Sequence, residues 1–168
     1  MMQQSPFSAS LLAIMVFLTG IVLGCHRTPR PEGLPELHLV TLTVFQDGLP
    51  LVGADVMLYP LDTTGAWTHG SRTDDNGKAR IVTHGQFVGV PEGKFKVTIS
   101  KNLVVEPEAE NPPSGMPGSQ GTRNRVFDLV DLAYKTRETT PLELEVKKGK
   151  TIKDFDVGKP VRIEMKFP

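Results

Sequence analysis

The sequence has one cysteine, few aromatic residues and no excess of charge of either sign. With Cys25 as its only cysteine, the chain cannot form an internal disulfide. Its 19 basic residues balance its 19 acidic residues, so no overall field attracts nucleic acid or an anionic surface. Aromatic residues make up 7% of the chain, which supplies few rings for an extended sugar-stacking surface. We therefore expect neither a nucleic-acid-binding protein nor a disulfide-stabilised one.

The sequence also lacks the motifs of common catalytic sites. It contains no glycine-rich phosphate loop, no paired catalytic carboxylates and no elbow motif around a serine. Its four histidines are scattered, without the spacing of metal ligands. We expect no enzymatic activity, no cofactor and no metal site. The alternative is that His69, His84, Asp74 and Asp75 converge on a metal ion.

The first 24 residues carry no charged side chain, and residues 11–23 are almost wholly apolar. A run of about 13 residues suits the core of a signal peptide, whereas a transmembrane helix needs roughly 20. The run ends in Val-Leu-Gly-Cys at residues 22–25, which resembles the lipobox of a bacterial lipoprotein. That resemblance implies a signal peptide over 1–24 and a lipidated Cys25 that holds the protein on a membrane of the cell envelope, on its outer membrane or an extracytoplasmic face. The alternative is an uncleaved membrane anchor in which Cys25 is an incidental thiol.

The part of the chain after Cys25 divides into a spacer and one domain. Residues 25–36 contain three prolines and a glycine without any periodicity, which predicts a flexible spacer. Residues 37–168 are one domain's worth of chain. Glycine and proline are frequent, and the apolar residues stand in short runs, which favours strands joined by tight turns. We predict a single all-β domain.

Alternating apolar and polar residues mark the strands. The clearest case is residues 94–100, where Phe95, Val97 and Ile99 alternate with polar neighbours, as in a half-buried antiparallel strand. Similar patterns predict strands over 37–46, 55–59, 142–146, 152–157 and 161–167. Asn76-Gly77 predicts a tight hairpin turn, because both residues tolerate positive φ. The neighbouring Asp74 and Asp75 could instead suggest a calcium loop, but the spaced ligands of such a loop are missing.

Several of these segments together resemble the carboxypeptidase regulatory-like domain. They are Asp47-Gly48 and residues 50–56, 73–77 and 89–97, and the resemblance covers residues 40–100 well. It implies a transthyretin-like, or prealbumin-like, Greek-key β-sandwich of about seven strands. That family is mostly non-enzymatic, so the resemblance informs the fold more than the function.

The periodic pattern stops after Ser100. Residues 101–125 are rich in proline and glycine and carry three alternating acids, Glu106, Glu108 and Glu110. This composition predicts a long loop at one end of the sandwich, where contacts with a partner are expected; a mobile polar loop without a partner is the alternative. Residues 126–134 are densely apolar and suggest a short helix across a sheet edge.

Trp67 is the only tryptophan in the chain. Such a residue either anchors the core or its rim, or stacks as an exposed platform on a sugar. We expect a non-catalytic, lipid-anchored module of the cell envelope with a binding or structural role, whose partner is an envelope protein or a glycan. The alternative is a carbohydrate-binding module that uses Trp67.

Overall fold

The computed structural model describes residues 29–62, 67–106 and 124–165. The chain divides into two compact units, Met1–Leu34 and Pro35–Pro168. The predicted signal peptide and Cys25 lie outside the described residues. In the described part of the first unit, Leu34 donates its N–H to the carbonyl of Pro31 at 3.3 Å, closing one turn of the spacer. The described residues contain no helix with the length and apolar character needed to cross a membrane.

The second unit is built from strands, which confirms the predicted all-β class. The sequence predicts about seven strands, whereas the described residues form thirteen strand segments. In chain order these are β1 (Leu39–Gln46), β2 (Leu49–Pro50), β3 (Asp55–Pro60), β4 (His69–Arg72), β5 (Lys78–Arg80), β6 (Val82–Thr83), β7 (Phe87–Val88), β8 (Gly93–Ser100), β9 (Asn102–Val105), β10 (Arg125–Asp128), β11 (Glu143–Val146), β12 (Lys150–Asp156) and β13 (Ile163–Glu164).

The first sheet is centred on β1. Parallel to β1 on one side runs β12, in a register from Leu39 opposite Lys150 to Phe45 opposite Asp156. On its other side β1 pairs antiparallel with β2 and β5. Because side chains alternate across a strand, every second residue of β1 faces inward, and Val40, Leu42 and Val44 are fully buried.

The second sheet has six strands in the order β11-β8-β3-β4-β6-β7, all antiparallel. Its central strand β8 buries Phe95, Val97 and Ile99, as the alternation of the sequence predicts. These residues join Val40, Leu42 and Val44 of the first sheet in one apolar cluster. The core thus takes side chains from both sheets, as in a β-sandwich; the Greek-key connection of the strands stays a prediction.

One short stretch of chain serves both sheets and explains part of the surplus of strand segments. β5 pairs with β1 in the first sheet, while β6, beginning two residues later, pairs with β4 in the second. Between them lies Ile81, whose N–H bonds to Val40 and whose carbonyl accepts from Gly89. The chain is therefore divided between the two sheets at Ile81.

The turn before β5 differs from the predicted hairpin turn. Gly77 has φ near +70°, but Asn76 does not adopt positive φ, and the turn joins β4 to β5, which belong to different sheets. The carboxylate of Asp74 accepts the backbone N–H of Asn76 at 2.9 Å and of Lys78 at 2.8 Å. Asp74 is thus occupied by backbone amides, which confirms a turn here.

A third, three-stranded sheet corrects two predictions. Its order is β13-β10-β9, so residues 102–105 and Arg125, both inside the predicted loop 101–125, are strand. The suggested helix near 126–134 is wrong for its first part, which is β10; only Leu132–Tyr134 forms a single 3-10 turn, capped by Asp131. The apolar density has another cause: Phe127 is buried from β10 and Val130 enters the core. The predicted strand over 161–167 is limited to β13 within the described residues.

Candidate binding cleft

A cleft of about 300 Å³ opens at one end of the second sheet. β3 ends there at Pro60, opposite Phe95 near the start of β8, and β4 begins there at His69, opposite Leu58. Three strands thus bring their ends to the same place. Proline ends a strand because it cannot donate to the ladder, which is why Pro60 lies at the rim and not inside the sheet.

The walls of the cleft are mostly apolar. Pro35, Pro60 and Pro91 line it together with Trp67 and Phe95. Proline and aromatic rings are rigid, so they present apolar surface without losing much side-chain entropy when a ligand binds. Apolar walls with a few polar groups are the usual lining of a ligand site.

Trp67 is half-buried and stands just before β4. Its ring meets that of His84 edge to face, with centroids 5.9 Å apart and an interplanar angle of 88°. His84 is exposed and has φ near +53°. Trp67 is therefore a rim residue of the cleft, and its ring packs against His84.

His69 forms a buried polar part of the cleft wall. Only 3% of its surface is exposed, and its ring packs edge to face on Phe95, with centroids 5.7 Å apart. Its Nδ1 lies 2.9 Å from the hydroxyl of Thr83. That hydroxyl donates to the carbonyl of Gly89 at 2.6 Å.

These two contacts decide which ring nitrogen carries the proton. The Thr83 hydroxyl has a single proton, and the carbonyl of Gly89 can only accept, so Nδ1 of His69 must donate to Thr83. Burial away from water lowers the pKa of His69 below its ordinary value, which favours the neutral ring. His69 is thus held neutral, with its proton on Nδ1 and a lone pair on Nε2.

A second histidine adopts the opposite arrangement behind the rim. Nδ1 of His38 accepts the N–H of Gly149 at 3.3 Å, so its proton lies on Nε2. Nε2 is 3.4 Å from the carboxylate of Glu92, a residue of the cleft rim whose side chain is 57% exposed. His38 therefore fixes one rim carboxylate from behind.

The polar rim continues beyond the cleft. Asp62, Glu92 and Lys94 line both the cleft and an adjoining depression of about 470 Å³. The depression extends past Lys94 to Glu145 and Lys148. The two together form one groove, apolar at the Trp67 end and charged at the other.

The structure does not bring the predicted metal-binding residues together. His69 is bonded to Thr83, His84 lies against Trp67, and Asp74 caps the turn before β5. Within residues 29–62, 67–106 and 124–165, no group of three or more His, Cys, Asp or Glu side chains is arranged to hold a metal ion.

The predicted binding residues are separated in space or fall outside the structure. Trp67 lies in the cleft. Glu106 is exposed at the end of β9 in the third sheet and does not line the cleft. Glu108, Glu110 and the lipidation residue Cys25 lie outside the described residues.

Sequence reasoning missed most of the cleft. In the sequence, Pro60 and Pro91-Glu92-Gly93 indicate only where strands end or begin. Phe95 indicates only a core residue. The signal that could have found them is that prolines end or precede strands on both sides of the single tryptophan. That signal becomes a site only when the strand order is known.

Comparisons with known proteins add little to this geometry. No family model matches the chain, and no curated protein matches it. Among solved structures it is similar to a 9R-lipoxygenase from Cyanothece PCC8801, with 15% identity and a TM-score of 0.32, over 92% of this chain and 20% of that one. A TM-score this low does not establish a shared fold, and the likeness to carboxypeptidase regulatory-like domains stays a prediction.

Proposed function

We propose that this chain is a non-catalytic binding module of the bacterial cell envelope, held on a membrane through a lipidated Cys25, and that it takes its ligand in the Trp67 cleft. The observation that carries the proposal is the cleft itself. It joins a half-buried Trp67 and rigid proline walls to a few fixed polar groups, His69 and Glu92 among them. Such a lining suits recognition of a ligand.

The hydrogen bonds around His69 favour binding over catalysis. In a nucleophilic pair, the base must accept the hydroxyl proton. Here the Thr83 hydroxyl donates a hydrogen bond to the carbonyl of Gly89 and accepts one from His69. The pair therefore orients a ring and does not activate a nucleophile.

The membrane attachment rests on the sequence. Uncharged residues 1–24, the short apolar run and Val-Leu-Gly-Cys form the lipoprotein pattern. Pro35, a wall of the cleft, follows Cys25 by ten positions. A chain of that length reaches at most about 35 Å, so the proposed ligand lies close to the bilayer.

Substitution of Cys25 tests the attachment. In a bacterial host, the wild-type chain should incorporate labelled fatty acid and appear in the membrane fraction, and Cys25→Ser should do neither. A lipoprotein signal peptidase inhibitor should block maturation of the wild-type chain. An unchanged mature mass and an unchanged membrane fraction in Cys25→Ser would contradict the lipid anchor.

Retention experiments test the cleft. Immobilised wild-type protein should retain a component of the polysaccharide or peptide fraction of cell envelopes, and Trp67→Ala should retain at least about tenfold less, because the largest apolar contact is lost. Ile152→Thr serves as a control, since Ile152 is exposed on β12 in the other sheet. Equal retention by wild type and Trp67→Ala would place the ligand elsewhere.

One further contact surface stays predicted. The acids Glu106, Glu108 and Glu110 belong to a stretch whose residues 107–123 lie outside the described part. Deletion of residues 107–123 should leave retention by the cleft unchanged while removing any partner that the loop itself holds. If the deletion abolished retention, the loop and the cleft would belong to one binding surface.

The second candidate function is carbohydrate binding. The observation that favours it is the combination of Trp67 with several hydrogen-bond acceptors in one cleft, since sugars offer both an apolar ring face and hydroxyl donors.

A further inference from the structure

We infer that His69 selects the ligand of the cleft by accepting a hydrogen bond through Nε2, and that the ligand is therefore a neutral saccharide that donates a hydroxyl proton beside Trp67. This inference rests on the proposed function, because it concerns the same cleft. To that proposal it adds the chemical class of the ligand and the residue that recognises this class.

The first step is the state of the His69 ring. Thr83 can accept from Nδ1 but cannot donate to it, since its own proton is bonded to Gly89 at 2.6 Å. The neutral ring therefore keeps Nε2 free of hydrogen. Phe95, packed edge to face on the ring, limits its rotation, so the tautomer and the direction of the lone pair are both fixed.

The second step is that Nε2 lacks an internal partner. Only 3% of the surface of His69 is exposed, and no hydrogen bond joins its Nε2 to any described residue. The described residues contain no fully buried side-chain nitrogen or oxygen without a partner, so Nε2 keeps contact with the open space that His69 lines, namely the cleft. A ligand that displaces water from such an acceptor must supply a donor in its place, or affinity is lost.

The third step is the balance of donors and acceptors around the cleft. Asp62 and Glu92 add carboxylate oxygens, which also accept, and Lys94 adds one ammonium group with three donor hydrogens. A ligand must therefore bring several donors and few negative charges. A carboxylated or phosphorylated ligand would meet two carboxylates and a lone pair, against the single positive charge of Lys94.

Saccharides fit this balance better than proline-rich peptides. Each hydroxyl of a neutral sugar can donate to His69, Asp62 or Glu92 and accept from Lys94, while the apolar face of the ring packs on Trp67. Proline has no backbone N–H, so a proline-rich segment would leave Nε2 without a donor. A basic peptide does donate, and it is the comparison that the experiment must include.

The tautomer is tested first, without any ligand. A nitrogen-15 NMR spectrum of the histidine rings in the full chain should show His69 with hydrogen on Nδ1 and none on Nε2, assigned by its absence in His69→Phe. Hydrogen on Nε2 would overturn the inference and leave the binding function untouched.

The ligand class is tested by fluorescence and calorimetry. Because Trp67 is the only tryptophan, its emission reports on the cleft alone. Cellotriose, chitotriose and maltotriose are titrated into the full chain beside a proline-rich peptide and an arginine-rich peptide. We expect at least one of the sugars to shift the emission and neither peptide to do so.

The role of His69 is tested from both sides of the contact. His69→Phe keeps a ring on Phe95 and removes both nitrogens, and should weaken sugar binding about tenfold, the equivalent of one good hydrogen bond. O-methylated forms of the same sugar keep their oxygens but cannot donate, and should bind as weakly to wild-type protein, even if the variant fails to fold. Ile152→Thr should bind the sugar as the wild type does.

The outcomes separate the two proposals. Sugar binding that is equal in wild type and His69→Phe overturns the role of His69. A shift of Trp67 emission by a peptide and by none of the sugars overturns the saccharide class while the binding function stands. Retention of no envelope component, with no response to any probe, removes both.

Discussion

The Trp67 cleft and the third sheet both place an aromatic ring among charged side chains, but they use the charges differently. In the third sheet, the guanidinium groups of Arg125 and Arg162 lie over the ring of Phe127, at 5.1 Å and 4.3 Å from its centroid. Arg125 in turn forms a two-point contact with Glu164 at 2.6 and 2.8 Å. The ring and the charges satisfy one another within the chain.

Two charged side chains of the cleft are available to a ligand. Among the described residues, Asp62 and Lys94 form no ion pair, and Trp67 has one ring neighbour, His84. A polar group that is paired within the chain contributes to folding stability. One without a partner in the chain can instead contribute to the binding of a ligand. Changes in the third sheet should therefore alter folding alone, and changes in the cleft should alter recognition.

The largest expected effect comes from a residue that serves both folding and recognition. Gly89 has φ near +111°, and a Cβ there would lie 2.7 Å from the carbonyl oxygen of His38. Gly89→Ala should lower the free energy of unfolding by about 2–4 kcal/mol and also weaken binding, because the carbonyl of Gly89 holds Thr83. Urea denaturation measures the first effect and Trp67 emission the second.

Gly48→Ala is the matched control for Gly89→Ala. Gly48 also has positive φ, near +75°, but a Cβ there would meet nothing within 4 Å. Its replacement should cost only about 1 kcal/mol, the price of the backbone conformation. Equal losses in the two variants would show that the close approach to His38 is not the cause.

The next effect separates the third sheet from the cleft. The carboxylate of Asp128 has 4% exposure and is paired at 2.8 Å with Lys135, which is 33% exposed. Lys135→Met removes the charge and leaves a buried carboxylate unpaired, so unfolding should become easier by about 2–3 kcal/mol. Chemical denaturation gives this value, and sugar binding to the folded variant should match the wild type. A binding defect would break the proposed division between the two regions.

A smaller effect concerns pH. The pKa of His69 is lowered by burial, so below the ordinary value of 6.5 the unfolded chain binds a proton that the folded chain resists. Stability from this group is complete above pH 6.5 and is lost as pH falls from there through the folded pKa. The free energy of unfolding should therefore fall less between pH 7 and pH 5 in His69→Phe than in the wild type. Parallel pH curves would show that His69 does not titrate differently on folding.

The smallest effect is expected at the exposed face of the third sheet. Arg125→Gln removes the contact with Glu164, but Arg162 still covers Phe127 at the shorter distance. Both partners of the lost pair are well exposed, where ion pairs contribute little. The melting temperature should hardly change, and a large drop would mean that Arg125 organises the whole third sheet.

The sequence predicts what is local. The burial of Phe95, Val97 and Ile99 follows from alternation along one strand, and the all-β class follows from many such segments. The pairing of β9 with β10 does not, because residues 102–105 and 125–128 are separated by a proline- and glycine-rich stretch without a pattern. Apolar density in residues 126–134 suggested a helix, since the burial of Phe127 and of Val130 at two different places cannot be distinguished from one helical face.

The same limit applies to the cleft. Trp67 attracts attention because it is unique, but Pro35, Pro60 and Pro91 come from three separate parts of the chain. The tautomer of His69 depends on Thr83 and Gly89, which meet it only through the pairing of β4 with β6. The spacing of these residues in the sequence does not indicate that they are in contact.

The pairing of the first long strand with one of the last has a consequence for how the chain folds. Each residue of β1 from Leu39 to Phe45 meets a partner in β12 that lies 111 positions later. Contacts between such distant residues form slowly, and the first sheet cannot be completed until almost the whole chain has been synthesised. Until then the edge of β1 that pairs with β12 lacks its parallel partner.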